Sequence, residues 1–169
     1  MAARSGKSGP DIAVTQPLLD RLIDNEPALA MDPAVSRAQS VRMLRTAVRR
    51  DVEWLLNTRR TPDPAPESMK ELSQSLFNYG LPDFSSLSVS SPRDRDHLLL
   101  ELEHTLALFE PRLKDVHVSM VDASAGYSRT LRFQIEGTLD MNPVVERIAF
   151  DTVLQLNSGE YQVRGDGGA

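Results

Sequence analysis

The stretch Leu98-Leu-Leu-Glu-Leu-Glu-His-Thr-Leu-Ala-Leu-Phe-Glu-Pro-Arg-Leu-Lys-Asp-Val-His-Val-Ser-Met120 changes its hydrophobic period in the middle, and that change decides the fold class. Up to Phe109 the apolar residues Leu99, Leu102, Leu106 and Phe109 recur at three- and four-residue spacing, one face of a helix that begins near Pro92. Pro111 cannot continue that helix. Beyond it Val116, Val118 and Met120 alternate with His117 and Ser119, the two-residue period of a half-buried strand. The same alternation returns in Leu131, Phe133 and Ile135, and again in Ile148, Phe150, Thr152, Leu154 and Leu156. Ala125-Gly126 and Asp140-Met-Asn-Pro143 supply turn chemistry between these runs, so an antiparallel meander is expected, with Gly159–Val163 as a short last strand.

Upstream of this stretch the chain reads as helical. Asp32-Pro33 has the form of a helix start, and Val41, Leu44, Val48, Val52 and Leu55 make one apolar face of a long helix from Val35 to about Thr58. Thr61-Pro-Asp-Pro-Ala-Pro66 is an extended connector. Glu67 to Phe77 is a short helical stretch with Met69, Leu72 and Leu76 as its apolar side, and Gly80 supplies a positive φ to the turn Asn78–Asp83. The expected fold is therefore α+β: two long helices plus a short one packed on one face of a small antiparallel sheet of three to four strands. Residues 1–31 form a flexible N-terminal extension with an apolar docking patch at 17–23, residues 32–163 the folded domain, and residues 164–169 a disordered tail.

Composition narrows the function without choosing it. The chain has 169 residues, 40% of them apolar, a length that suits one domain. It contains no cysteine, which removes disulfides, thiolate metal sites and cysteine nucleophiles, and its first ten residues lack the apolar run of a signal peptide. A cytoplasmic protein is the expectation. The net charge is −5, yet Ser36–Arg60 carries seven arginines against Asp51 and Glu53, a local +5 that leaves 12 basic and 22 acidic residues elsewhere. With a pI near 5.2, an acidic protein partner suits the face bearing Arg42, Arg45 and Arg49 better than nucleic acid does.

Candidate chemistry is sparse. His97 and His104 are seven residues apart, too far for the four-residue pairing of a helical metal site, so no metal is expected. No glycine-rich loop follows a strand, and no serine lies in a nucleophile elbow, so no cofactor is expected either. The informative site is Phe109-Glu-Pro-Arg-Leu113, where Pro111 makes the helix–strand joint rigid and presents Glu110 and Arg112 in one geometry. Three readings stand: a general acid such as a glycosidase needs, a structural ion pair, or a charge pair offered to another protein. The island Leu18, Leu19, Leu22 and Ile23 either folds back onto the domain or docks on a partner.

At this point the chain resembles a known family. Glu110-Pro111-Arg112, the stretch Leu113–Leu139, Leu18-Leu-Asp-Arg-Leu22, Val48-Arg-Arg-Asp-Val-Glu-Trp-Leu-Leu-Asn-Thr-Arg-Arg60 and Leu76-Phe-Asn-Tyr-Gly-Leu-Pro-Asp-Phe84 look like the lysozyme-like baseplate wedge proteins of phage T4 tails. They look still more like TssE, the bacterial type VI secretion counterpart, over about residues 17 to 163. The resemblance implies a non-enzymatic baseplate subunit that sits beside TssF and TssG in each wedge, within the TssK-containing baseplate and at the base of the TssB/TssC sheath. It implies that Glu110, Pro111 and Arg112 engage the helical core of the wedge, and that the sheet seats the first sheath ring by strand addition. The rival is a peptidoglycan-cleaving hydrolase with Glu110 as general acid. Scarce aromatics and an arginine two residues away, which favours the ionised carboxylate, count against it. The longer N-terminal extension and the connector 61–66 depart from the phage protein.

Overall fold

The computed structural model describes residues 13–24, 27–31, 33–63, 65–66, 68–84, 88, 91–122, 130–141, 145–156 and 158–165. The chain is α+β and divides into two units, Met1–Ala47 and Val48–Ala169, with the boundary inside a helix. Residues 1–12 and 166–169, expected to be flexible, the expected Asp32 cap, and the expected turns at Ala125-Gly126 and Asn142-Pro143 lie outside the described residues.

In the first unit, helix α1 (Leu18–Leu22) precedes the start of the long helix α2 (Arg37–Asn57). That start is set by Ser36 rather than by Asp32-Pro33. Gln39 N–H donates to Ser36 Oγ at 3.3 Å while Ser36 N–H donates to Gln39 Oε1 at 3.0 Å. This reciprocal box satisfies two helix-end donors at once, which an Asp-Pro start does not. Ser40 is buried one turn later and takes the incoming chain: Val14 N–H donates to Ser40 Oγ at 2.8 Å and Gln16 Nε2 to its carbonyl at 2.8 Å. The N-terminal extension is thus anchored at Val14 and Gln16. No residue of α1 is buried.

The second unit begins with the last turns of α2, where Val48, Val52, Leu55 and Leu56 are buried as the helical period requires. The chain then runs extended through Arg59, which forms a parallel bridge with Leu81. Leu81 N–H donates to the Thr58 carbonyl at 2.8 Å, and Gly80 stands against that carbonyl at φ +102°. A Cβ on Gly80 would lie 2.2 Å from Thr58 O, so both the conformation and the close approach demand glycine.

The short helix expected over 67–77 is cut down to α3 (Lys70–Ser73) and a 3₁₀ turn at Leu76–Asn78. Ser75 Oγ caps that turn by accepting from Phe77 N–H, and this local bond competes with a continuous helix. Its expected apolar side is not buried, since Leu76 is 81% exposed and Met69 is exposed.

Helix α4 (Pro92–Phe109) starts where Pro92 predicts, behind Ser91, whose Oγ accepts from Asp94 N–H. Its buried stripe is Leu98, Leu102, Thr105 and Leu106, one residue off the expected Leu99. Strands β1 (Leu113–Asp122), β2 (Thr130–Asp140), β3 (Val145–Gln155) and β4 (Glu160–Gly165) follow as a four-stranded antiparallel meander in chain order. In β2 and β3 the expected alternation holds through Leu131, Phe133, Ile135, Ile148, Phe150, Thr152 and Leu154, all buried, while Leu156 falls in the turn. Strand β4 continues through Arg164 and Gly165, past the expected start of the tail at residue 164.

Strand β1 departs from simple alternation. Lys114 faces Thr138 and His117 faces Glu136, so Asp115 and Val116 oppose the single residue Gly137. Asp115 takes φ +51° at this bulge, and a Cβ on Gly137 would meet the Lys114 carbonyl at 3.3 Å. The bulge brings Leu113 and Val118, an odd five positions apart, both into buried positions.

Both outer strands are engaged by helix side chains. On β4, Asn57 Oδ1 accepts from Tyr161 N–H at 2.8 Å, Asn57 Nδ2 donates to the Tyr161 carbonyl at 2.8 Å, and Glu53 Oε2 accepts from Val163 N–H at 3.2 Å. Arg49 Nη1 donates to the Val163 carbonyl at 3.1 Å. Positions 49, 53 and 57 are one helical face, so one row of side chains on α2 completes the edge that a fifth strand would otherwise pair with. On β1, Glu103 of α4 accepts from Val118 N–H at 2.8 Å and pairs with His117 Nδ1 at 2.8 Å. Replacing Glu53 and Asn57 together by alanine should lower stability by about 1–3 kcal/mol in urea unfolding and produce dimers or larger species in size-exclusion chromatography, because β4 regains a free edge.

Candidate functional site

The site is built on the joint between α4 and β1. Glu110 is the residue after the last turn of α4, its N–H still donating to the Leu106 carbonyl at 2.9 Å. Its own carbonyl accepts from Leu113 N–H at 3.0 Å, which closes a four-residue turn with Pro111 in the second position. Proline supplies the φ that this position needs, so the turn is preset by the covalent chain. The turn places the Arg112 side chain back across Glu110.

Arg112 Nε donates to Glu110 Oε1 at 2.5 Å, and Arg112 Nη2 donates to Glu110 Oε2. The Glu110 side chain is 5% exposed and both of its oxygens are engaged. Arg112 Nη2 also reaches Asp51 Oδ2 on α2 at 2.7 Å. Asp51 Oδ1 in turn accepts from Arg50 Nε at 2.9 Å and Nη2 at 2.7 Å. The Arg50 guanidinium lies 4.8 Å from the centre of the Trp54 ring, and that ring is exposed. A chain of alternating charge therefore runs from a buried carboxylate at the joint to an exposed indole on α2.

Tyr79 borders the cluster, its ring edge-on to Phe109 at 5.3 Å. Burial pushes its phenol above the ordinary tyrosine value, and the carboxylates of Asp51 and Glu110 add to that. For Arg112, burial alone would lower the guanidinium, but the hydrogen bonds and charges of Glu110 and Asp51 outweigh it and raise it above its ordinary range.

The other sequence candidates lie apart from this joint. Leu18, Leu19 and Leu22 are exposed on α1. Arg42 is exposed and Arg45 half-buried in the first unit, whereas Arg49 in the second unit is occupied with the β4 edge. Asp51, Arg50, Trp54 and Tyr79 were not singled out from the sequence; Asp51 stood there only as one of two carboxylates among seven arginines. A cavity of about 140 Å³ between Leu56, Leu81, Phe84, Leu154 and Tyr161 is small against ordinary cofactor pockets of roughly 300–1,000 Å³.

The chain matches the family described as baseplate wedge protein gp25 over residues 42–144, which takes in Trp54, Asp51, Tyr79 and the Glu110–Arg112 joint. No curated protein matches it. Among solved structures, a chain of "The baseplate complex from the type VI secretion system" overlays with a TM-score of 0.45 at 18% identity, covering 74% of this chain and 97% of that one.

Two outcomes follow from the joint. Glu110→Gln should lower stability by about 3 kcal/mol in urea unfolding, because a half-buried guanidinium loses its buried counter-charge. From about pH 10, where a free tyrosine ionises, stability should fall, since the unfolded chain gives up the Tyr79 proton before the folded one does. Tyr161, buried and raised in the same direction, adds to this, so the double variant Tyr79→Phe/Tyr161→Phe should flatten the alkaline limb of a stability–pH profile.

Proposed function

We propose, from the premise that this chain belongs to the baseplate wedge protein gp25 family, that it is the TssE-type subunit of a type VI secretion baseplate, acting without catalysis. In this reading it joins the TssF–TssG core of each wedge to the first ring of the TssB/TssC sheath and helps sheath assembly begin, in the cytoplasm and within the TssK-containing baseplate. The observation that carries it is the Glu110-Pro111-Arg112 joint, a charge pair held in one direction by a proline turn and braced from a second helix. Such a pair is preorganised, so docking against it orders little that was free beforehand. Of the pair, Arg112 is the member that meets the partner; Glu110 is buried beneath it.

The sheet serves the sheath side. Because side chains of α2 already hold the outward groups of β4 at Tyr161 and Val163, a sheath strand adds to β1, past the contact of Glu103 with Val118. Arg42 and Arg45 on the first turns of α2 face an acidic partner surface, and the exposed Leu18, Leu19 and Leu22 of α1 are a docking patch. The hydrolase alternative finds no support at Glu110, whose two oxygens are both taken by Arg112 and shut from solvent.

Cells carrying Arg112→Glu should fail to assemble sheaths and to secrete; the purified variant, which leaves Glu110 without its counter-charge, should be less stable in urea yet keep its helix and strand signals in circular dichroism. Wild-type protein should recover TssF and TssG in pull-downs and leave peptidoglycan uncut. Cleavage of peptidoglycan by the wild type with no wedge protein recovered would overturn the proposal.

A further inference from the structure

The Glu110–Arg112 pair is incomplete as a two-residue device. Arg112 carries five donor hydrogens on Nε, Nη1 and Nη2. Nε and Nη2 are spent on Glu110, and Nη2 also on Asp51, 61 positions away on α2. Among the described residues no acceptor meets Nη1, and Nη1 is not one of the buried atoms lacking a partner. The Arg112 side chain is 26% exposed. The guanidinium is therefore gripped along one edge by Glu110 and at Nη2 by Asp51, with Nη1 left toward solvent.

Charge balance at the cluster limits what Nη1 can take. Glu110 offsets Arg112, and Asp51 is shared between Arg112 and Arg50, so the four side chains sum to zero. A partner carboxylate against Nη1 would leave one negative charge in excess, close to two half-buried or buried carboxylates. Neutral dipolar acceptors carry no such penalty. In a folded partner the last turn of a helix presents several unpaired main-chain carbonyls together, at the negative end of the helix dipole. The exposed Trp54 ring, tied to the same cluster through Arg50, supplies apolar contact area beside them.

We infer that Asp51 is a positioning residue for docking: it fixes the Arg112 guanidinium so that Nη1 presents its two N–H groups to main-chain carbonyls at a helix end of the wedge partner, with Trp54 alongside. The inference rests on the docking reading of the joint. Asp51 acts through Arg112 and makes no partner contact itself. The guanidinium shape matters more than the charge, because an ammonium, with three N–H groups, cannot hold Glu110, reach Asp51 and still offer two further donors.

The test is a double-mutant cycle on binding of the full chain to the purified TssF–TssG wedge core, with thermal melts of every variant. Asp51→Ala should weaken binding about tenfold, Arg112→Ala about a hundredfold, and the double variant no more than Arg112→Ala alone. Arg112→Lys, which keeps stem and charge, should fail as fully as Arg112→Ala and serves in the cycle if the alanine variant does not fold. The affinity ratio between wild type and Arg112→Ala should change less than threefold between 0.15 and 0.5 M salt, as neutral acceptors at Nη1 require. An Asp51→Ala effect that persists undiminished in the Arg112→Ala background, or Arg112→Lys binding like wild type, would overturn the inference while leaving the docking site standing. A tenfold loss of that ratio with salt would replace the carbonyls by a carboxylate and overturn it likewise. If Arg112→Ala itself binds like wild type, the docking reading falls and the inference with it.

Discussion

A carboxylate cannot be taken out of water without a counter-charge, and in this protein that constraint falls on Glu110. Its side chain is buried at the point where α4 ends and β1 begins. An isolated ionised carboxylate there would cost several kcal/mol. Arg112, two residues on, supplies two hydrogen bonds and the charge, and Pro111 gives the turn that brings it back. The third arm, Asp51, comes from α2, so one guanidinium links the end of one helix, the start of the sheet and the middle of another helix. Such a bridge is weak evidence for stability, because desolvation offsets much of the attraction. Its gain is direction: three elements must take one arrangement for both carboxylates to be satisfied.

The same economy governs the sheet edges. A four-stranded meander has two outer strands whose outward groups pair with water or with another chain. Two open edges would invite self-association. Asn57 answers both the donor and the acceptor of Tyr161, while Glu53 and Arg49 answer those of Val163. At β1 the hold is lighter, with Glu103 meeting Val118 alone and sharing its oxygen with His117. The two edges are thus unequal. The inequality follows from helix spacing, since residues 49, 53 and 57 repeat every turn along β4.

Local signals were legible wherever local physics decides. Pro92 behind Ser91 marks the start of α4 because capping involves only neighbours in the chain. The alternation of β2 and β3 is legible because one face of each strand is buried along its length. Local signals mislead where two local rules compete or a neighbouring element intervenes. Ser75 diverts the stretch after α3 into a 3₁₀ turn, and Ser36 with Gln39 outbids Asp32-Pro33 as the start of α2. At α4 three consecutive leucines leave the stripe ambiguous by one position, and packing selects Leu98 over Leu99. The Glu110–Arg112 pair was legible because two residues and a proline separate nothing. Asp51 was not, because its partner is 61 positions away.

By itself the sequence determined the α+β class, the order of helices before strands, the meander, the glycine at position 80 and the rigid joint at Pro111, since each follows from a period, a cap or a φ value within a few residues. Tertiary structure alone decided that Glu110 lies buried while Arg112 faces outward, that Asp51 completes the pair, and that β4 is the closed edge. These depend on which side chains of α2 arrive beside the joint and the last strand. No run of neighbouring residues carries that information, because contacts between elements far apart in the chain are set by the packing of the whole unit.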